Sequence, residues 1–472
     1  MIKGIFWFRQ DLRLSDNEAL VEAARFSDDL IPIYIFDDMK QRPMGAAQRW
    51  WLHYSLCSLS EALKKKGVTL ILKRGDPKNI LLDLVKKNKI DAVYWNSVYE
   101  PEALKSEKAI ESSLSDLCDI NIYNGNLLTD PDRIKNKSGT CFKVYTPYWR
   151  SLVSQLKPRR LLLAPKAMTQ KSKIASDDLK SWQLLPSKPD WSVGFKDWSP
   201  GEVGAKKALK QFLDDGLEDY SEHRDRPDLL GTSRLSPHLH FGELSPWQVW
   251  NAAMELKTAQ AAFRNGAEVF LKQLVWREFS YYLLFHFPNI DKKNFNSKFD
   301  GFKWQQNKKQ LQAWKKGLTG FPIVDAGMRQ LWQTGYMHNR VRMIVASFLT
   351  KDLLIHWHEG EAWFWDTLLD ADLANNIAGW QWVAGCGADA APYFRIFNPT
   401  LQGEKFDPEG NYVRQWVPEL AELPKKYIHD PSSAPAEVLQ AAGVKLGEDY
   451  PQPIVDHKAA RDEALARYKK IR

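Results

Sequence analysis

The chain has 472 residues, enough for two large domains or about three smaller ones. Its 66 Lys and Arg outnumber 58 Asp and Glu, and the net charge of +8 suits a polyanionic partner without identifying one. Ordinary globular proportions of apolar and charged residues exclude a wholly disordered chain, and no apolar run approaches the roughly 18–20 residues that span a bilayer.

The start of the chain, Met1 to Arg9, is too short and too soon charged for a signal peptide. Cys57, Cys118, Cys141 and Cys386 form no CxxC pair, which argues against a zinc knuckle, a thioredoxin motif or an iron–sulfur cluster. Few cysteines and no export signal predict a reducing, cytoplasmic setting.

Short apolar runs at 5–8, 31–36, 68–72, 92–95 and 120–123 read as buried parallel strands. Longer amphipathic stretches such as 46–66 lie between them and read as helices. The alternation predicts an α/β, doubly wound, Rossmann-like domain over 1–130. No GxGxxG follows the first strand, so the usual dinucleotide fingerprint is absent. Residues 131–200, rich in Pro, Lys and Ser, read as a connector with a short helix at 148–155. From 201 to 472 strand signals stop. Helical stretches at 203–213, 246–256, 261–285, 328–336, 340–354 and 360–369 predict an all-α domain.

Several local patterns carry chemistry. Between 292 and 351 there are twelve Lys or Arg and two acidic residues, an excess that favours nucleic acid over a merely solvated face. Nine of the 20 tryptophans fall between Trp276 and Trp382 without a common helical period. Core packing accounts for any one of them; stacking on bases or a planar cofactor, or carrying an electron, would use the same rings. On a helix, Gln273, Trp276 and Ser280 share a face, the means to read a flipped-out base or simply the polar edge of a buried helix. Gly231 to His238 offers small hydroxyls and backbone N–H groups for phosphate, or an ordinary cap with Ser236 as N-cap and Pro237 behind it. Asp370 and Asp372 permit acid–base or metal chemistry. With Asn375, Asn376, Arg340 and Arg342 nearby, a hydrogen-bonding wall around a heterocycle fits better. No GxSxG or HExxH motif is present.

Taken together, these residues resemble the photolyase/cryptochrome family, most closely the class I cyclobutane pyrimidine dimer (CPD) photolyases. The resemblance runs the length of the chain. It is carried by Trp7-Phe8-Arg9-Gln10-Asp11-Leu12-Arg13-Leu14-Ser15-Asp16-Asn17, by 231–246, by Trp276-Arg277-Glu278-Phe279, by Met337-His338-Asn339-Arg340-Val341-Arg342-Met343, by 370–398 and by Asp449-Tyr450-Pro451-Gln452-Pro453-Ile454-Val455.

The resemblance implies a helical domain that binds FAD and UV-damaged DNA. Tyr220, Thr232, Ser233, Arg234, Leu235 and Ser236 would contact the flavin phosphates and ribityl chain. Asp370, Ala371 and Asp372 would line the isoalloxazine, with Asp370 paired to Arg342 and with Trp276 alongside. Asn376 would face the flavin N5 and favour the reduced state, and Trp380, Trp357 and Trp304 would relay electrons from the surface. Gln273, Trp276, Asn339, Met343 and Trp382 would form the lesion pocket; Arg224, Arg277, Ser280 and Arg340 would meet DNA. Reduced FAD, excited by near-ultraviolet or blue light, would give one electron to the dimer, whose carbon–carbon bonds split before the electron returns. The enzyme would be a deoxyribodipyrimidine photo-lyase, a monomer with no metal and no membrane attachment.

Two positions depart from the pattern. Gln273 stands where CPD photolyases usually carry Glu, and the same Gln occurs in (6-4) photolyases; Asn339 and Met343 point back to CPDs. Ala103, in Tyr99-Glu100-Pro101-Glu102-Ala103, stands where folate-binding relatives carry Glu. The antenna chromophore therefore stays open between methenyltetrahydrofolate, a deazaflavin, a second flavin and none. A cryptochrome, a blue-light receptor without repair, is the alternative; the lack of a long C-terminal extension favours repair.

Overall fold

Each of the five apolar runs becomes a strand of one parallel sheet: β1 (Lys3–Phe8), β2 (Asp29–Phe36), β3 (Ile71–Arg74), β4 (Ala92–Asn96) and β5 (Asp119–Tyr123), in the order β3-β2-β1-β4-β5. The structure is a computed structural model and describes residues 1–38 and 42–471. Successive residues Ile5, Phe6, Trp7 and Phe8 are all buried, so β1 is covered on both faces, as a central parallel strand must be. On one face Ile5, Trp7, Ile33, Val93 and Trp95 pack against Leu81, Leu84, Ile110 and Leu114 from the helices Pro77–Asn88 and Pro101–Leu114. The helix Glu18–Phe26 packs on β1, β4 and β5. This is the doubly wound arrangement read from the sequence.

Strand order reverses between β1 and β4, where such sheets usually place ligands. Here the first turn is held by the chain itself. Asn96 Nδ2 donates to Asp11 Oδ2 at 2.6 Å, and Asn17 Nδ2 reaches the same carboxylate. Buried Arg13 donates to the carbonyls of Gly125 (2.7 Å), Asp16 (2.9 Å) and Gly242 (2.9 Å). Much of the N-terminal signature is thus structural. It ties three loops together and satisfies polar groups that would be costly to bury alone.

The described chain forms two compact units. The first comprises Met1–Ser192, Lys196–Glu218 and Ser233–Pro288; the second comprises Val193–Phe195, Asp219–Thr232 and Asn289–Arg472. Besides the sheet, the first holds the helices Tyr145–Gln155, Glu202–Asp215, Pro246–Ala259 and Arg264–His286. The second is helical: Lys308–Lys316, Pro322–Thr334, Asn339–Ser347 followed by a π turn at Phe348–Asp352, Trp357–Thr367, Leu373–Ala384 and His457–Lys469 are its main elements.

Several boundaries differ from the sequence reading. The connector helix starts at Tyr145 instead of 148, because Pro147 sits in its first turn, where no intrahelical N–H is needed. Pro322 likewise opens a helix six residues before the expected 328. Ser236 is not an N-cap: Leu235 holds that position without a side-chain bond, and Ser236 is the first helical residue. The capping box lies one element later, where Ser245 and Gln248 cap each other's backbone.

Candidate functional site

The second unit gathers its polar groups around the helix Leu373–Ala384. Asp372 caps that helix, its Oδ1 accepting from Asn375 N at 2.9 Å and from Asn375 Nδ2 at 2.7 Å, a cap worth about 1 kcal/mol. Just before it, Asp370 Oδ2 accepts from Arg342 Nη2 at 2.9 Å, and Arg342 Nε is anchored on the Met337 carbonyl at 2.7 Å. The other oxygen, Asp370 Oδ1, is buried with no hydrogen-bond partner among the described residues. Ala371 between the two carboxylates is buried.

One turn along, Asn376 Nδ2 donates to Glu361 Oε1 at 2.7 Å and to the Glu361 carbonyl at 3.1 Å. A carboxylate only accepts, so this fixes the amide orientation and leaves Asn376 Oδ1 as the group on offer. Glu361, a buried acid on the helix Trp357–Thr367, was not foreseen, since no motif marks it in the sequence. On the same side of the Leu373–Ala384 helix, Gly379 is exposed, and a Cβ there would meet nothing within 4 Å. The opposite side, Ala374, Ile377, Trp380 and Gln381, is buried. The open, polar side and the orphaned Asp370 oxygen fit a planar, hydrogen-bonding cofactor such as a flavin.

Three tryptophans lead away from this helix. Trp380 is buried against Phe364 (ring centroids 5.0 Å) and Trp314 (6.2 Å), with its Nε1 unpartnered among the described residues. Gly360 lies against the same indole, and a Cβ at Gly360 would overlap it. Trp357 is fully buried and donates from Nε1 to Asn294 Oδ1 at 2.9 Å. Half-buried Trp304 sits 5.1 Å from the His356 ring, which in turn stacks 5.6 Å from Trp357. Burial pushes His356 down to about 4, so this bridging ring is neutral at pH 7.

Asn339 is exposed and Met343 half-buried on the helix Asn339–Ser347; Asn339 Nδ2 lies 4.0 Å from Met343 Sδ one turn on. Trp382 is half-buried near the end of Leu373–Ala384. Two of the three arginines expected to meet DNA share one carboxylate, with Asp225 bonding Arg340 at 2.8 Å and lying 3.7 Å from Arg224. Asp225 too was missed, hidden in the charged run 222–228. His338 caps the Asn339–Ser347 helix, and burial pushes it down to about 4. Tyr220 is buried under Arg224, which lies 5.8 Å from its ring, and Thr232 Oγ1 lies 3.4 Å from the Tyr336 hydroxyl.

The first unit carries the remaining expected residues. Arg234 lies over the Trp198 ring at 4.1 Å, with φ +52°, and Ser233 Oγ accepts from Leu235 N at 3.4 Å. Leu235 is buried and Ser236 exposed. On the helix Arg264–His286, Gln273 and Trp276 are half-buried on one face. Ser280 is buried and donates to the Trp276 carbonyl at 3.0 Å, so the helix itself satisfies it. Arg277 donates to the Asn126 carbonyl at 2.9 Å and pairs with Glu278 at 3.2 Å, a set of partners that ties helix to loop.

The sequence matches the model for DNA photolyase over residues 4–169 and that for the FAD binding domain of DNA photolyase over 270–470. It is 52% identical to a deoxyribodipyrimidine photo-lyase of Agrobacterium fabrum, over 99% of this chain and 98% of that one. It is 39% identical to cryptochrome-2 of Arabidopsis thaliana, over 98% of this chain and 78% of that protein. Among solved structures, a bacterial class III photolyase from Agrobacterium tumefaciens superposes with a TM-score of 0.97 at 52% identity, covering 100% of this chain and 98% of that one.

Proposed function

Since the chain belongs to the photolyase/cryptochrome family, we propose that it is a light-dependent DNA-repair enzyme that splits cyclobutane pyrimidine dimers with reduced FAD. The likeness at 52% to a class III enzyme favours that subclass over class I. The observation that carries the reading is the pairing of Asp370 with Arg342 beside Asn376 held by Glu361, on a helix backed by Trp380.

FAD, once bound, reduced and excited by light, supplies the electron that breaks the dimer. The chain's own residues bind, orient and insulate. Arg342 holds Asp370 in place, and Asp370 Oδ1 would accept from an N–H of the flavin. With its Nδ2 donated to Glu361, Asn376 Oδ1 would be free to accept a hydrogen bond from a protonated flavin nitrogen, which would favour the reduced form. Ala371 and Asp372 complete that wall; Tyr220 and the stretch Thr232, Ser233, Arg234, Leu235 and Ser236 serve the phosphates and ribityl chain. Trp380, Trp357 and Trp304 pass electrons inward, with the neutral His356 ring between the last two. Lesion recognition falls to Gln273, Trp276, Asn339, Met343 and Trp382, while Arg224 and Arg340 exchange Asp225 for DNA phosphates. Arg277 and Ser280 act indirectly, by fixing the helix that carries Trp276.

A dimer is already poorly stacked, so extruding it costs less than extruding normal bases. Gln273 offers both a donor and an acceptor to a thymine edge and stays uncharged. A competition assay in the dark tests the substrate. An oligonucleotide with one thymine cyclobutane dimer should displace a labelled dimer duplex at least tenfold better than one with a (6-4) product. Equal displacement would contradict the assignment.

A further inference from the structure

We propose that Tyr145 is the positioning residue for Trp276, closing one face of its indole so that only the other is left for an extruded base. The inference rests on the reading of Trp276 as a wall of the lesion pocket. Tyr145 opens the connector helix Tyr145–Gln155, far in sequence from the helix Arg264–His286 that carries Trp276. Its ring lies flat on the indole, with centroids 3.8 Å apart and planes within 4°. The tyrosine is buried and the tryptophan half-buried, so the open surface belongs to the indole.

Two further contacts hold the arrangement. The Tyr145 hydroxyl donates to the Lys272 carbonyl at 2.6 Å, one turn before Trp276 on the same helix. Burial pushes that hydroxyl well above its ordinary range, so it stays a donor. Phe279 meets both rings edge-on, at 6.0 Å from Tyr145 and 5.8 Å from Trp276, each at 71°. The indole is thus gripped on one face and one edge. Unclamped, a half-buried tryptophan samples other rotamers, and binding a base would then cost the entropy of ordering it. With Tyr145 in place that ordering is complete before DNA arrives. The third layer of the stack, a base, completes an arrangement already two rings deep.

The test compares Tyr145→Phe, Tyr145→Leu and Tyr145→Ala with Trp276→Ala in the FAD-loaded protein. Dissociation constants are measured for a duplex with one thymine cyclobutane dimer and for its undamaged twin. Tyr145→Leu and Tyr145→Ala should bind the damaged duplex about tenfold more weakly, with undamaged affinity and flavin absorption unchanged. Tyr145→Phe keeps the flat ring and should restore most of the selectivity. Tyr145→Leu keeps apolar bulk if Tyr145→Ala fails to fold. Full selectivity in Tyr145→Leu, alongside its loss in Trp276→Ala, would overturn the proposal while sparing the pocket. Full selectivity in Trp276→Ala would overturn the pocket assignment, and the proposal with it.

Discussion

Trp304 is half-buried, whereas Trp357 and Trp380 are buried, which is the gradient expected of a route from surface to interior. Replacing Trp304 with Phe should therefore block photoreduction of oxidised FAD while chemically reduced protein still repairs DNA. Normal photoreduction in that variant would remove Trp304 from the route. Glu361 supports a second expectation. Its carboxylate fixes the Asn376 amide, so Glu361→Ala should free the amide and speed reoxidation of the reduced flavin in air by about tenfold, the worth of one charged hydrogen bond. An unchanged rate, read from flavin absorbance, would count against the role of Asn376. The tryptophans proposed as a relay and Asn376 could be singled out in the sequence because motif neighbours flank them. Glu361 and Asp225 were not, because nothing in the residues around them says which distant side chain they will meet.

The long helix Arg264–His286 does more than carry Gln273 and Trp276. Its Glu278 is buried, and accepts from Leu128 N at 2.8 Å, which docks the loop after β5. Burial is the largest influence on that carboxyl and pushes it up to about 7, against the opposing pull of Arg277. An acid raised above its unfolded value contributes stability that is fully present below the unfolded pKa and lost as pH rises through the folded one. Glu278→Gln should thus gain on wild type between pH 5 and 8 and show no such gain at pH 4.5. Thermal melts across that range measure it; a pH-independent difference would contradict the assignment. At this scale the sequence was most legible where the pattern was simple. Short apolar runs placed five strands: β1, β2 and β4 are buried on both faces and so apolar along most of their length, while the edge strands β3 and β5 are more exposed than the sequence reading expected. Helix starts were misread where proline opened the first turn, at Pro147 and Pro322, since proline reads equally as a breaker.

For the molecule as a whole, the basic excess between 292 and 351 proves less uniform than its count implied. Lys351 is buried on the π turn, where burial brings its ammonium down to about 8 and it donates to the Arg395 carbonyl at 3.0 Å. Arg329 pairs with Glu419 at 2.7 Å and Arg342 with Asp370. These charges are taken up by partners within the protein, which composition cannot distinguish from charges left for DNA. Arg340, paired with the half-buried Asp225, is better placed for phosphate. Arg340→Gln should weaken damaged and undamaged duplexes alike and lower the salt slope of binding by about 1. Loss confined to damaged DNA would instead make Arg340 a lesion contact. Among the described residues no helix is long and apolar enough to cross a membrane.

The most direct measurement is repair itself. The protein, reduced under anaerobic conditions, is illuminated with blue light on an oligonucleotide bearing one thymine cyclobutane dimer and on one bearing a (6-4) product, each beside a dark control. Light-dependent restoration of the first alone is the predicted result. Restoration of the second alone would make Gln273, against Asn339 and Met343, the residue that sets the substrate. Restoration of neither, with FAD bound and reducible, would contradict the repair function and leave a light receptor of the cryptochrome kind.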